Sequence, residues 1–211
     1  TGSHNVDDYF DNFAARGIDG LFVEALPDKY HEARLAAMLN AGIPAVAFGD
    51  PGFGPGRISV IENDYADAMI QIVEHLARLG HERIVYVSGL ARSQRSDARI
   101  RSFGAAMKKV LGSATPRVVA PRTSTPTGIE DGERLSRVAF ERFPEATALV
   151  CTNDLMAVGT LRAAHERGLE VPGDVSVVGI DNAYVSELCT PALTTVAADF
   201  GTTGARAFHL L

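Results

Sequence analysis

Little in this chain supports covalent or catalytic chemistry. The two cysteines, Cys151 and Cys189, form no CxxC pair, so neither a zinc knuckle nor a dithiol motif is present. They read as reduced, packed thiols, because a disulfide needs an oxidising compartment and suitable geometry. Lysine is confined to Lys29, Lys108 and Lys109. No apolar run approaches the ~20 residues needed to cross a bilayer. No charged n-region with an apolar h-region opens the chain, although a trimmed mature protein would read the same. HExxH, GxxxxGKS/T and GxSxG are all missing. The run Gly52-Phe53-Gly54-Pro55-Gly56 follows a strand pattern with the wrong spacing for a phosphate cradle, and no helix starts directly after it. Histidines are scattered; His75 and His81 flank a helix end and do not make a metal site. A formal net charge of −6 argues against this chain gripping a phosphate backbone by itself, because phosphate contacts need local positive charge, and does not exclude a basic domain attached elsewhere.

What is present is a regular alternation of strand and helix patterns. At 211 residues the chain has room for one large domain or two small lobes, and 46% hydrophobic with 22% charged residues is the balance of a globular protein. Apolar runs predict strands at Gly20–Glu24, Ala45–Phe48, Ile84–Ser88, Arg117–Val119, Ala148–Cys151 and Val175–Ile180. Mostly uninterrupted by charge, they suit strands covered on both faces. Amphipathic spacing predicts helices over Asp7–Ala15, His31–Asn40, Tyr65–Leu79, Arg99–Leu111, Glu130–Arg142 and Leu155–Arg167, with Gly17, Gly42, Gly80, Gly112 and Gly168 just past helical patterns. This repetition implies an α/β fold with a doubly wound parallel sheet. The Asp50–Gly56 stretch and the Pro121–Gly128 stretch read as loops.

The stretch from Thr147 to Val196 carries the most information. Ala148–Cys151 stops at Asn153-Asp154, a helical pattern runs to Gly168, and Val175–Ile180 stops at Asp181. Two buried strands that deliver polar groups at their C-terminal ends build a ligand site at the rim of an open parallel sheet. Asn-Asp-Leu-Met-Ala-Val-Gly at 153–159, Val-Pro-Gly-Asp-Val-Ser-Val-Val-Gly-Ile-Asp at 171–181 and Pro-Ala-Leu-Thr-Thr-Val at 191–196 are specific motifs. With Gly-Ile-Asp-Gly-Leu at 17–21, Gly-Ile-Pro-Ala-Val at 42–46 and Glu-His-Leu-Ala-Arg-Leu-Gly-His-Glu-Arg-Ile at 74–84, the chain resembles the effector-binding core of the LacI/GalR family of bacterial transcription regulators. The resemblance implies a periplasmic-binding-protein-like fold of type I, two Rossmann-like lobes of parallel sheet flanked by helices with a ligand cleft between them. On that plan residues 1–61 and 197–211 form an incomplete amino-terminal lobe, and 62–196 form the carboxyl-terminal lobe. The resemblance also implies a helix-turn-helix headpiece and hinge before Thr1, an opening strand of the first lobe there, and final strands after Leu211. The DNA-reading domain is expected upstream in a full protein.

The resemblance also nominates ligand-binding residues. Asn153 has an amide that both donates and accepts toward a hydroxyl; the plainer reading of the pair is a strand-end turn in which Asp154 caps a helix beginning at Leu155. Asp181 offers a carboxylate that can accept two sugar hydroxyls, or can be a solvated turn residue. Arg99, with Phe103, matches the family's Arg-x-x-Gly-aromatic pattern, with Ser102 in place of glycine, and its fork of donors can bridge vicinal hydroxyls or pair with a carboxylate. Arg92, Arg95 and Arg101 nearby suit an anionic effector or, more simply, a solvated helix face. Phe200 stands where an aromatic commonly stacks on the effector in the family, and also suits core packing. Phe48 and Asp50 are nominated from the opposite lobe, with Gly49 standing where relatives often carry the acid. The Thr123–Gly128 loop offers no stacking aromatic.

The expected function is therefore the effector-binding and dimerisation core of a cytoplasmic LacI-type regulator, a repressor. It would sense a sugar, nucleoside or sugar phosphate without a cofactor, would act as a homodimer, and would reach operator DNA through the headpiece. A periplasmic sugar-binding protein of a transport system shares the fold and is the alternative. An enzyme is the third reading, and no nucleophile–base constellation supports it.

Overall fold

The computed structural model describes residues 16–24, 29–49, 58–91, 97–112, 115–122 and 125–211. The helix expected over Asp7–Ala15, the Asp50–Gly56 loop with its candidate Asp50, and Arg92 and Arg95 lie outside the described residues. Two compact units divide the chain: Asp64–Ala198, and the remainder, which resumes at Asp199–Leu211.

In the smaller unit, β1 (Leu21–Glu24), α1 (Lys29–Asn40), β2 (Ala45–Phe48) and β3 (Ser59–Ile61) form a parallel three-stranded sheet in the order β1-β2-β3 with one helix. The larger unit runs α2 (Tyr65–Arg78), β4 (Ile84–Val87), α3 (Asp97–Leu111), β5 (Arg117–Val119), α4 (Ile129–Arg142), β6 (Ala148–Cys151), α5 (Asp154–Glu166), β7 (Ser176–Asp181), α6 (Val185–Leu188) and β8 (Thr194–Ala197). The helix α7 (Phe200–Leu210) follows in the smaller unit. Among the described residues the larger sheet has the order β5-β4-β6-β7-β8, every pair parallel.

The period-2 geometry of a strand explains why these apolar runs need helices on both sides. Ile84 and Tyr86 of β4, Ala148 and Val150 of β6, and Val178 and Ile180 of β7 face one way, into a core completed by Met69, Ile72, Val73 and Leu76 of α2 and Phe103 and Met107 of α3. Val85, Val87, Leu149, Cys151 and Val177 face the other way, onto Leu135, Ala139 and Phe140 of α4 and Met156, Ala157, Ala163 and Ala164 of α5. The i, i+3, i+4, i+7 spacing of Met69, Ile72, Val73 and Leu76 is the apolar stripe that makes α2 a helix with one buried face. Each of these side chains contributes roughly 1.5–3 kcal/mol on burial. Asp64 starts the helix by accepting from the Ala66 and Asp67 amides at 3.0 and 3.2 Å. Gly80 and Gly168 close α2 and α5 at φ of +87° and +71°, in the left-handed region open to glycine.

Some segments differ from the sequence reading. β3 and β8 have short strand sequences, and β8 is an edge strand without a fully buried residue. Neither shows the continuous apolar run that marks a central strand. α7 buries only Ala207, so its helical stripe is too thin to read. The helix expected from Leu155 begins one residue earlier: Asn153 is its cap and accepts from the Met156 amide at 2.9 Å, while Asp154 lies inside the first turn.

Candidate functional site

At the C-terminal tips of β4 and β6 the larger unit gathers polar groups that its strands cannot use. Thr152 joins the two tips: its amide and hydroxyl donate to the Val87 carbonyl at 3.1 and 3.3 Å, and its Oγ1 accepts from the Gly89 amide at 3.2 Å. The Tyr86 hydroxyl sits 3.4 Å from the same oxygen. This leaves the Thr152 carbonyl for Arg99, whose Nη1 donates to it at 3.4 Å. The other arm of Arg99 donates through Nη2 to the Tyr65 hydroxyl at 2.5 Å, and the guanidinium lies 4.3 Å from the centre of the Tyr65 ring. A long, rotamer-rich side chain is thereby fixed from two sides before any ligand arrives.

Asn153 follows Thr152. Its Nδ2 donates to the carbonyl and hydroxyl of Thr127 at 3.1 and 3.2 Å, while its Oδ1 accepts from Met156. Both ends of the amide are engaged within the protein, and one lone pair of Oδ1 remains.

Asp181 ends β7, one strand over from β6. Burial pushes its carboxyl up from 3.8 to about 6, against the pull of the Arg99 guanidinium and with a smaller push from Asp154. A partly desolvated acid beside a fixed cation, at the rim of a parallel sheet, is equipped to accept hydrogen bonds from a neutral polyhydroxylated molecule. Asp154 is 1% exposed. Its carboxyl is raised by burial and lowered by bonds from Thr195 and Ala183.

The structure thus brings Arg99, the Asn153 backbone and Asp181 to one rim of one sheet. Phe200 and Phe48 belong to the smaller unit. Phe200 opens α7 and is 63% exposed; Phe48 ends β2, with its ring centre 6.3 Å from that of Phe22. A groove of about 410 Å³ between α2 and the β7–β8 edge, lined in part by Gln71, Glu74, His75, Arg78 and Thr194, holds none of the five nominated residues that are described. Sequence reasoning missed Tyr65, and the only signal for it was an aromatic directly after a capping aspartate. The Asp154 pairing was also missed, because an Asx residue beside a helix start reads as a cap.

Residues 73–211 match the family described as periplasmic binding protein-like domain. An uncharacterized HTH-type transcriptional regulator in the aml 5' region of Streptomyces limosus is 33% identical over 199 residues, covering 92% of this chain and 56% of its own. The chain therefore spans little more than half the length of that curated relative. Among solved structures, the lac repressor dimer bound to operator and an anti-inducer is 27% identical with a TM-score of 0.77, over 100% of this chain and 71% of that one. The complex of the transcriptional regulator CelR with cellobiose is 25% identical with a TM-score of 0.81, over 97% and 62% respectively.

Proposed function

Because the chain belongs to the periplasmic-binding-protein-like family, with LacI-type regulators among its relatives, we propose that it is the effector-binding core of a DNA-binding transcription repressor. The carrying observation is the convergence of Arg99 and the desolvated Asp181 at the strand tips of the larger unit. Their chemistry suits a sugar-like ligand: hydroxyls donate to Asp181 and accept from Arg99, and Asn153 offers its remaining lone pair. Phe48, Asp50 and Phe200, from the remainder of the chain, are the further ligand contacts in this reading. Residues 1–61 with 197–211, and 62–196, are the two lobes it assumes.

Ligand acts only by binding one arrangement of the protein better than another, and a coupling of roughly 1–3 kcal/mol changes operator affinity several-fold to a hundred-fold. Operator binding belongs to a headpiece outside this chain, and a homodimer presents two of them to paired half-sites. A cytoplasmic, non-catalytic protein follows from that role. A solute-binding protein of a transporter has the same kind of fold; the relatives' names, HTH-type regulator and lac repressor, support the regulator. The test is a thermal-shift screen of the 211-residue chain against hexoses, pentoses, disaccharides, nucleosides and sugar phosphates. A ligand that stabilises the wild type and not Asp181→Asn supports the site, and one that stabilises both equally removes Asp181 from it.

A further inference from the structure

The turn that carries Asp181 is shaped by a side chain from another element. Asp181 and Asn182 stand at φ of +109° and +54°, a region that residues with a β-carbon enter at a cost and hold only when their surroundings impose it. The surroundings here are specific. The Asn182 amide donates to Thr195 Oγ1 at 3.2 Å, and the Ala183 amide donates to Asp154 Oδ2 at 2.6 Å. The Thr195 hydroxyl donates in turn to Asp154 Oδ1 at 2.6 Å. One carboxylate at the start of α5 therefore gathers the turn after β7 and the edge strand β8.

It can sit there because position 179 has no side chain: a β-carbon on Gly179 would lie 2.1 Å from Asp154 Oδ1. With both oxygens engaged and 1% of its surface exposed, Asp154 has nothing left to offer a ligand. It does not cap α5 either, since Asn153 does.

We propose that Asp154 is the positioning residue of this site: with Thr195 it forms a clip that holds Asp181 in its ligand-accepting conformation. The proposal rests on the reading of Asp181 as a ligand group. Arg99 and Asp154 are the charged groups that act on Asp181, and Cys189 feels Asp154. Removing the Asp154 charge should therefore move the titration of Asp181 downward, and further than cutting the Thr195 link, which loosens the turn but leaves that charge in the protein.

The experiment uses the whole 211-residue chain as wild type, Asp154→Asn, Thr195→Val and Thr195→Ser. Amide hydrogen exchange at Asn182 and Ala183 is read against core amides such as Val150, and the Asp181 carboxyl carbon is titrated by NMR. Cellobiose and D-ribose are then titrated into each chain. Thr195→Val, close in shape to threonine, serves if Asp154→Asn does not fold. Exchange at Asn182 and Ala183 should quicken at least tenfold in Thr195→Val and Asp154→Asn and return toward wild type in Thr195→Ser. The Asp181 midpoint should fall further in Asp154→Asn than in Thr195→Val, and sugar affinity should drop with the loosened turn. Unchanged exchange in both variants overturns the clip, as does a loosened turn with undiminished sugar binding. A wild type that takes up no ligand in the wider screen sinks the ligand reading of Asp181 instead, while the exchange data still decide whether Asp154 holds the turn.

Discussion

Replacing Asp181 by asparagine should make the unliganded fold more stable, and the effect can be sized. The folded carboxyl titrates at about 6 in place of 3.8 because burial outweighs the attraction of Arg99. A carboxyl whose pKa is higher in the fold than in the unfolded chain binds its proton more tightly when folded. The fold therefore loses stability as pH rises from about 4 to about 6, and the loss is complete above that window. At about 1.4 kcal/mol per decade the full rise corresponds to about 3 kcal/mol. The turn is partly open to water, and screening leaves about 1–2 kcal/mol. An amide has no charge to desolvate, and asparagine tolerates positive φ better than most residues. Asp181→Asn should exceed the wild type by about 1–2 kcal/mol at pH 7.5 and match it near pH 4. Urea unfolding of the two chains at both pH values, followed by circular dichroism, measures the difference. A gap independent of pH, or a variant weaker than the wild type at pH 7.5, would refute the reasoning.

Arg99→Ala should weaken ligand by more than ~1.5 kcal/mol, about tenfold, through loss of charge-assisted bonds; calorimetric titration giving equal affinity would take Arg99 out of the site. Tyr65→Phe, which keeps the ring beside the guanidinium, should cost less affinity than Tyr65→Ala, and the reverse order would mean that the stack does not fix Arg99. Gly179→Ala should destabilise the larger unit by about 1–3 kcal/mol by driving a methyl group into Asp154, and an unaltered unfolding midpoint would contradict the close approach. His81 bridges Thr147 Oγ1 and Ser176 Oγ at 3.0 Å each, and burial followed by nearby His75 lowers its pKa below 6.5. His81→Phe should cost about 2 kcal/mol at pH 7.5 for two lost bonds. Wild-type stability from this residue is lost as pH falls below 6.5, so the gap should narrow toward pH 5, and a gap that widens would reverse the assignment.

The larger unit was legible because its strands are buried on both faces. A run such as Ala148–Cys151 leaves little choice but a central strand, and the carboxylates that halt such runs mark the rim. Edge and partial elements were not legible: β8 has no fully buried residue, and α7 presents one. Arg99 and Asp181 were nominated by motif and stand on the rim. The neighbour pair Asn153-Asp154 shows the limit. Sequence marks both as able to cap, but which turns inward depends on a gap made by Gly179 on another strand, a contact 25 residues away that no local pattern carries. Tyr65 is 34 residues from Arg99 along the chain, and only folding makes them neighbours.

Ala198 is the final residue of the larger unit, and its amide donates to the Asp181 carbonyl at 3.4 Å. Three residues before it stands Thr195, tied to the same turn. The acid is thus on a short leash to the very peptide where the backbone passes from one unit to the next.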